Sequence, residues 1–297
     1  MAEHEKRIGL IAAWGRYPVV VAEALVAQGF EVYCIAVKDH ADEAALRPLC
    51  KEFLWNGVAR YTASIRFLQR HGVRHATMAG KIHKTTLYRP WVWLHHVPDL
   101  RAIKMFYRNF GFTQGDRRDD TLLGTIVAEF ASEGIEFAPA TNFAPELLVK
   151  FGPLGRRAPS ALESKDIEFG WRLAKEMGRL DIGQSVVVKG RNALAVEAIE
   201  GTDACIRRAG ELCRSGHFTV VKVAKPQQDM RFDVPTIGVG TLEQMVSAGA
   251  TCLAIEAGKT IIIDQAEVVR FADRHGIAIV ALDSAEQALP GDANLAA

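Results

Sequence analysis

RIGLIAAWGRYPVVVAEALVAQGFEVYCIAV, residues 7–37, decides the fold. Its apolar run over 7–15 reads as a buried strand, and Pro18, tolerated in the first turn of a helix, opens one whose Val21, Ala24 and Leu25 share a face. Gly29 stops that helix, and EVYCIAV (31–37) is the next strand. FLWNG (53–57), a segment of helical spacing to His71, and VRHATMAG (73–80) continue the alternation. Strand and helix alternating in this way is the pattern of a doubly wound parallel sheet, so the first third of this α/β chain reads as Rossmann-like.

Farther along, helical spacing covers 99–110 and 119–133, and a short strand is expected around IEFAPA (135–140). FAPELLVKFGPLGRRAPSALESK (143–165) holds three prolines, two glycines and adjacent arginines, the most linker-like composition in the chain. The expected division is a Rossmann-like N-terminal domain over 1–142, a linker over 143–165 and a second α/β domain, the catalytic one, over 166–297. In that second domain Ile167, Trp171 and Ala174 mark one helical face. Strands are expected at 184–190, 193–200, 218–225, 251–258, 260–264 and 277–283, with helices at 203–214, 241–248 and 265–275. The tail AEQALPGDANLAA (285–297) reads as frayed, and no internal repeat is found.

Composition narrows the function classes. With 297 residues and 49% apolar side chains, the chain can bury a substantial core. Lys plus Arg (36) balances Asp plus Glu (35), so there is no basic field to draw it onto nucleic acid, and any anion site must be local. Five scattered cysteines without a CxxC pair read as reduced thiols. The segment MAEHEKRIGLIAAWG is too polar for a signal peptide core, which leads us to expect a cytoplasmic protein. YRPWVWLHH (88–96) gathers aromatics beside cationic and titratable residues, a composition suited to peripheral contact with the inner membrane; a partly buried helix or an interdomain contact is the plainer alternative.

Two motifs mislead. The first Rossmann turn, Ala13-Trp14-Gly15-Arg16-Tyr17-Pro18, lacks the glycines that let a backbone approach a pyrophosphate, which argues against a nicotinamide dinucleotide. Gly258-Lys259-Thr260 imitates the end of a Walker A loop without its glycine-rich cradle.

KPQQDMRFDVPTIG (225–238) is more informative. Asp229 and Asp233 lie four residues apart in a proline-bounded loop, and with Glu200 and Asp203 they are hard oxygen ligands suited to Mg²⁺. Lys222, Lys225 and Arg231 are placed to hold the phosphate oxygens that the metal does not. Gly201 and Thr202 open a helix whose unsatisfied N–H groups suit a phosphate oxygen, although an ordinary turn capped by Thr202 or Asp203 explains them equally. Alternation along the 193–200 strand sends Glu197 and Glu200 to opposite faces unless the strand ends or bulges between them. The mundane alternative for the loop is that Asp229–Arg231 and Lys225–Asp233 simply pair at a surface.

On IGLIAAWGRYP (8–18), LDIGQSVVV (180–188), AVEAIEGTDACIRRAG (195–210), KVAKPQQDMRFDVPTIG (222–238) and AGATCLAIEAGKTIIID (248–264), the chain resembles the LpxI-type UDP-2,3-diacylglucosamine pyrophosphatases of lipid A synthesis. The resemblance implies a Rossmann-like domain, a family-specific α/β C-terminal domain and a homodimer. It also implies Mg²⁺-dependent hydrolysis of UDP-2,3-diacylglucosamine to UMP and 2,3-diacylglucosamine 1-phosphate (lipid X). The essential carboxylate it points to is Asp229, with Glu200, Thr202 and Asp203 from the EGTD block, Gln184 from DIGQ, and Lys225, Gln228, Arg231 and Asp233 from the 225–233 block. Lys225 and Arg231 would stabilise charge as the phosphoanhydride breaks. The competing readings are a metal-dependent hydrolase of another nucleotide-sugar pyrophosphate, or a non-enzymatic nucleotide-binding protein.

Overall fold

The computed structural model describes residues 6–82, 96–110, 119–231 and 234–283. The chain divides into two compact units, Met1–Leu147 with Asp229–Phe232, and Leu148–Gln228 with Asp233–Ala297.

The first unit is built on β1 (Arg7–Ala12), β2 (Glu31–Val37), β3 (Glu52–Asn56), β4 (His75–Ala79) and β5 (Glu136–Phe137). They lie in the order β3-β2-β1-β4-β5, every neighbouring pair parallel. This is the Rossmann-like arrangement, with the order reversing between β1 and β4. Helices α1 (Tyr17–Ala27), α2 (Glu43–Leu46), α3 (Tyr61–Arg70), α4 (Leu100–Phe110), α5 (Asp119–Ala131) and α6 (Ala140–Phe143) accompany it. Successive strand residues face opposite ways, so Ile8, Leu10 and Ala12 join Val21 and Leu25 of α1 in one core. Tyr33 and Ile35 of β2 join Ile65 and Leu68 of α3 and Phe130 of α5 in the other. Gly9 lets α3 pack closely there, since a Cβ would stand 2.8 Å from the Leu68 side chain.

The turns that follow β1 and β4 are joined by backbone hydrogen bonds. Trp14 and Lys81 exchange a pair, N–H to C=O, each at 3.0 Å, and Ala13 N–H donates to Ala79 C=O at 2.9 Å. The crevice at which a Rossmann sheet ordinarily receives a dinucleotide is thus bridged by backbone.

The second unit carries β6 (Gly152–Leu154), β7 (Ser185–Lys189), β8 (Asn192–Val196), β9 (Phe218–Lys222), β10 (Thr236–Ile237), β11 (Ala250–Glu256), β12 (Ile261–Ile262) and β13 (Ala278–Leu282). Six of these form a mixed sheet, β6-β13-β11-β9-β7-β8, and β10 pairs with β12. The β13-β11-β9 centre is parallel; β6, β7 and β8 are antiparallel to their neighbours. A single long helix, α7 (Ala161–Arg179), covers one face through Ile167, Trp171, Ala174 and Met177. The other face is covered by α8 (Thr202–Leu212), α9 (Val239–Ala248) and α10 (Gln265–His275).

Three expectations are corrected. Residues 143–165, read as a linker, contain the edge strand β6, the start of α7 and a 3₁₀ turn at Pro145–Leu147. Proline and glycine sit there because β6 is an edge strand of three residues, where a missing N–H is tolerated. The strand expected over 193–200 ends at Val196, so Glu197 and Glu200 are not strand neighbours and the argument from alternation does not apply to them. The strand expected over 218–225 ends at Lys222: Val223 N–H still donates to Gln184 C=O in line with the β7 register, but the following N–H, of Ala224, is taken by the Glu256 side chain. Residues 88–95 of the aromatic segment and the tail 285–297 lie outside the described residues. No described helix is long and apolar enough to cross a membrane.

Candidate functional site

The second unit brings several of the expected residues to one edge of its sheet. Ser185 is in register with Lys222, Lys222 with Ile255, and Glu197 N–H donates to Ser185 C=O at 2.9 Å. The start of β7 and the ends of β8, β9 and β11 therefore meet at the carboxyl edge of the parallel strands β9 and β11. In open α/β sheets that is the edge outside which ligands bind.

One part of the edge is the turn from β8 into α8. Gly201, at φ +83° and with no atom near the position of a Cβ, is the N-cap of α8, and no side chain caps it. The expected caps serve elsewhere. The Thr202 hydroxyl donates to Glu197 Oε1 at 3.0 Å and lies 3.1 Å from Ser185 Oγ, while Asp203 is exposed in the first turn. Glu197 is only 7% exposed, and its Oε2 is buried without a hydrogen-bond partner. Gln184 Oε1 is buried in the same unpartnered state. Buried acceptors left open in this way mark positions that a donor completes. Gly183 keeps this corner tight, since a Cβ there would lie 2.2 Å from Glu197 O. Glu200 turns outward, its Oε1 taking Arg208 at 2.6 Å and its Oε2 the Ala198 N–H at 3.2 Å.

The other part is the loop that leaves β9. Lys222 is buried and donates to Thr236 C=O at 2.9 Å. Lys225 N–H donates to Gln228 Oε1 at 2.8 Å, and Gln228 N–H returns to Lys225 C=O at 3.1 Å, which closes the loop on itself. The Lys225 ammonium meets Asp181 Oδ1 at 2.7 Å, a carboxylate just beyond the end of α7. Asp229 and Arg231, grouped with the first unit, pair with each other. Arg231 Nε reaches both carboxylate oxygens at 2.9 and 3.0 Å, its second nitrogen reaches Oδ2 at 2.5 Å, and its backbone N–H reaches Oδ1 at 3.0 Å. The Arg231 guanidinium thereby holds the Asp229 pKa below the usual aspartate value, and Asp229 raises that of Arg231.

Asp233 lies outside the described residues. Among the described residues no three His, Cys, Asp or Glu side chains gather into a set that could hold a metal ion. The carboxylates of Asp229 and Glu200 are each engaged by an arginine. The described part of the expected Mg²⁺ ligand set therefore does not fit an ion. Sequence reasoning named neither Ser185 nor Glu197 as a site residue. Their signal was available: a serine opening an apolar strand, and a carboxylate at the end of the strand beside it.

The family model of the LpxI N-terminal domain matches residues 7–147, and that of the LpxI C-terminal domain matches residues 150–280. The chain is 31% identical over 289 residues to a protein of Caulobacter vibrioides named UDP-2,3-diacylglucosamine pyrophosphatase LpxI, an alignment that covers 95% of this chain and 99% of that protein.

Proposed function

Because the chain belongs to the LpxI family, both of whose domains it carries, we propose that it hydrolyses the pyrophosphate of UDP-2,3-diacylglucosamine. The observation that carries this reading is the end-to-end similarity to a relative of that name. Water supplies the oxygen, one P–O bond of the phosphoanhydride breaks, and UMP and 2,3-diacylglucosamine 1-phosphate leave.

The residues supply what such a reaction needs. Lys225 and Arg231 stabilise the charge that grows on the phosphate oxygens as the bridging bond breaks. Each is held by a carboxylate, Asp181 or Asp229, that keeps its cation oriented until the diphosphate arrives. Asp229, kept ionised by Arg231, is the carboxylate assigned to the reacting centre. Gln184 and Glu197 offer buried acceptors to sugar or nucleoside donors, and the backbone at Gly201–Thr202 offers a helix N-terminus to phosphate. Lys222 and Gln228 shape the loop.

Mg²⁺, when bound, would neutralise diphosphate charge and polarise phosphorus. Among the described residues Asp229, Glu200 and Asp203 do not form a ligand set for it. A homodimer, a cytoplasmic location and peripheral membrane contact belong to the same proposal, tested by sedimentation velocity and vesicle flotation.

The deciding experiment incubates the purified chain with UDP-2,3-diacylglucosamine in ¹⁸O water, with Mg²⁺ and with chelator. UMP release that chelation stops, with label in one product only, is expected. Equal hydrolysis of an unacylated UDP-sugar would favour a general nucleotide-sugar pyrophosphatase, and absence of UMP would overturn the reading.

A further inference from the structure

The carboxyl end of β11 holds a charged group that the proposed chemistry does not use. Glu256 is fully buried, yet three donors converge on it. Its Oε2 accepts from Lys175 Nζ at 2.6 Å and from Ala224 N–H at 2.8 Å, and its Oε1 pairs with Lys259 Nζ at 3.0 Å. Lys175, on α7, also donates to Ala224 C=O at 3.0 Å. Both polar groups of the Ala224 backbone are thus taken up by one ion pair, at the residue where the chain has left β9 and the 225–228 loop begins. A buried carboxylate carries a desolvation cost that simple packing of a strand end would avoid. Here the two lysines and the Ala224 N–H offset that cost, and the Ala224 peptide is fixed as a result.

The rest of the loop is tied to the same helix. Gln227 donates to Gly178 C=O at 2.8 Å, and Lys225 reaches Asp181, just beyond the end of α7. Gly178 itself brings the helix so near that a Cβ would stand 3.1 Å from both Lys225 Cα and Pro226 Cδ. Burial pulls the Lys175 ammonium below the ordinary lysine value while Glu256 opposes the shift, as expected of a pair that is strongest when both members are charged.

We propose that Lys175, Glu256 and Lys259 form a clamp that sets the direction of the 225–228 loop, with Glu256 as the positioning residue for the groups that loop presents to the diphosphate. The catalytic half of this statement rests on the function proposed above; the clamp itself does not.

The test compares wild type, Glu256→Gln and Lys175→Met by UMP release, by far-UV melting, and by amide hydrogen exchange over 218–231. Glutamine keeps an acceptor for Ala224 N–H but removes the charge that holds both lysines. In folded variants kcat is expected to fall on the order of tenfold to hundredfold with KM within about twofold, as for loss of positioning. Exchange at Lys225 and Gln228 should rise while β9 stays protected. Unchanged exchange and kcat in a folded variant would overturn the clamp, as would activity lost only in proportion to folded protein. If Glu256→Gln does not fold, Lys175→Met, at a part-buried position whose aliphatic stem methionine replaces, decides the matter. If the wild type releases no UMP, the functional reading falls, and exchange alone still shows whether Glu256 holds the loop.

Discussion

Asp229 meets Arg231 with both carboxylate oxygens, and that contact, more than the burial that opposes it, keeps its pKa below the ordinary 3.8. A depressed native value means that the pair's contribution is complete above the ordinary aspartate range and is lost as pH falls through the lower native value. Asp229 is therefore ionised throughout the neutral range and does not set an acid limb there. Asp229→Ala is expected to lower kcat by roughly 10²–10⁴-fold, as for loss of a catalytic carboxylate. Its melting temperature should stay close to that of wild type, because a part-exposed ion pair contributes little. UMP release at the wild-type rate would remove Asp229 from the reaction. Residue types were legible in KPQQDMRFD; their partners were not. Lys225 takes Asp181, forty-four positions earlier, because the end of α7 is folded back beside it.

The start of α7 shows the same limit for elements. SALE, residues 160–163, is a capping box in which the Ser160 hydroxyl accepts from Glu163 N–H and the Glu163 carboxylate accepts from Ser160 N–H. It lay inside the segment read as a linker, where proline and arginine content masked the cap. Glu163 does more than cap, since it also takes Arg157 through both oxygens and the Thr251 hydroxyl. Burial pushes its pKa up, but these partners outweigh burial and hold it below 4.5. Ser160→Ala should cost about 1 kcal/mol and Glu163→Ala about 3 kcal/mol in urea unfolding at neutral pH. The advantage of wild type over Glu163→Gln should be full above the ordinary glutamate range and shrink as pH falls through the lower native value. An advantage independent of pH would show that the charge of Glu163 does not contribute.

At the scale of the molecule, the sheet order β3-β2-β1-β4-β5 is that of a dinucleotide fold, while the turns at its switch point are joined by the Trp14–Lys81 hydrogen bonds. Titration with NAD or NADP to roughly millimolar concentration is expected to give no saturable heat in calorimetry. A dissociation constant well below that would show that the bridged turns part for a ligand. The alternation of strands and helices in both units, the helical face of Ile167, Trp171 and Ala174, and the lack of a glycine fingerprint after β1 were all determined by the sequence. They depend on periodicity and on backbone sterics, which neighbours in the chain settle among themselves. Only the tertiary structure decided that Ser185, Glu197, Lys222 and Glu256 share one sheet edge, that β9 stops at Lys222, and that Asp181 holds Lys225. Those facts follow from strand order and register, which bring together side chains far apart in the chain and let a buried carboxylate take the N–H that would otherwise have extended a strand.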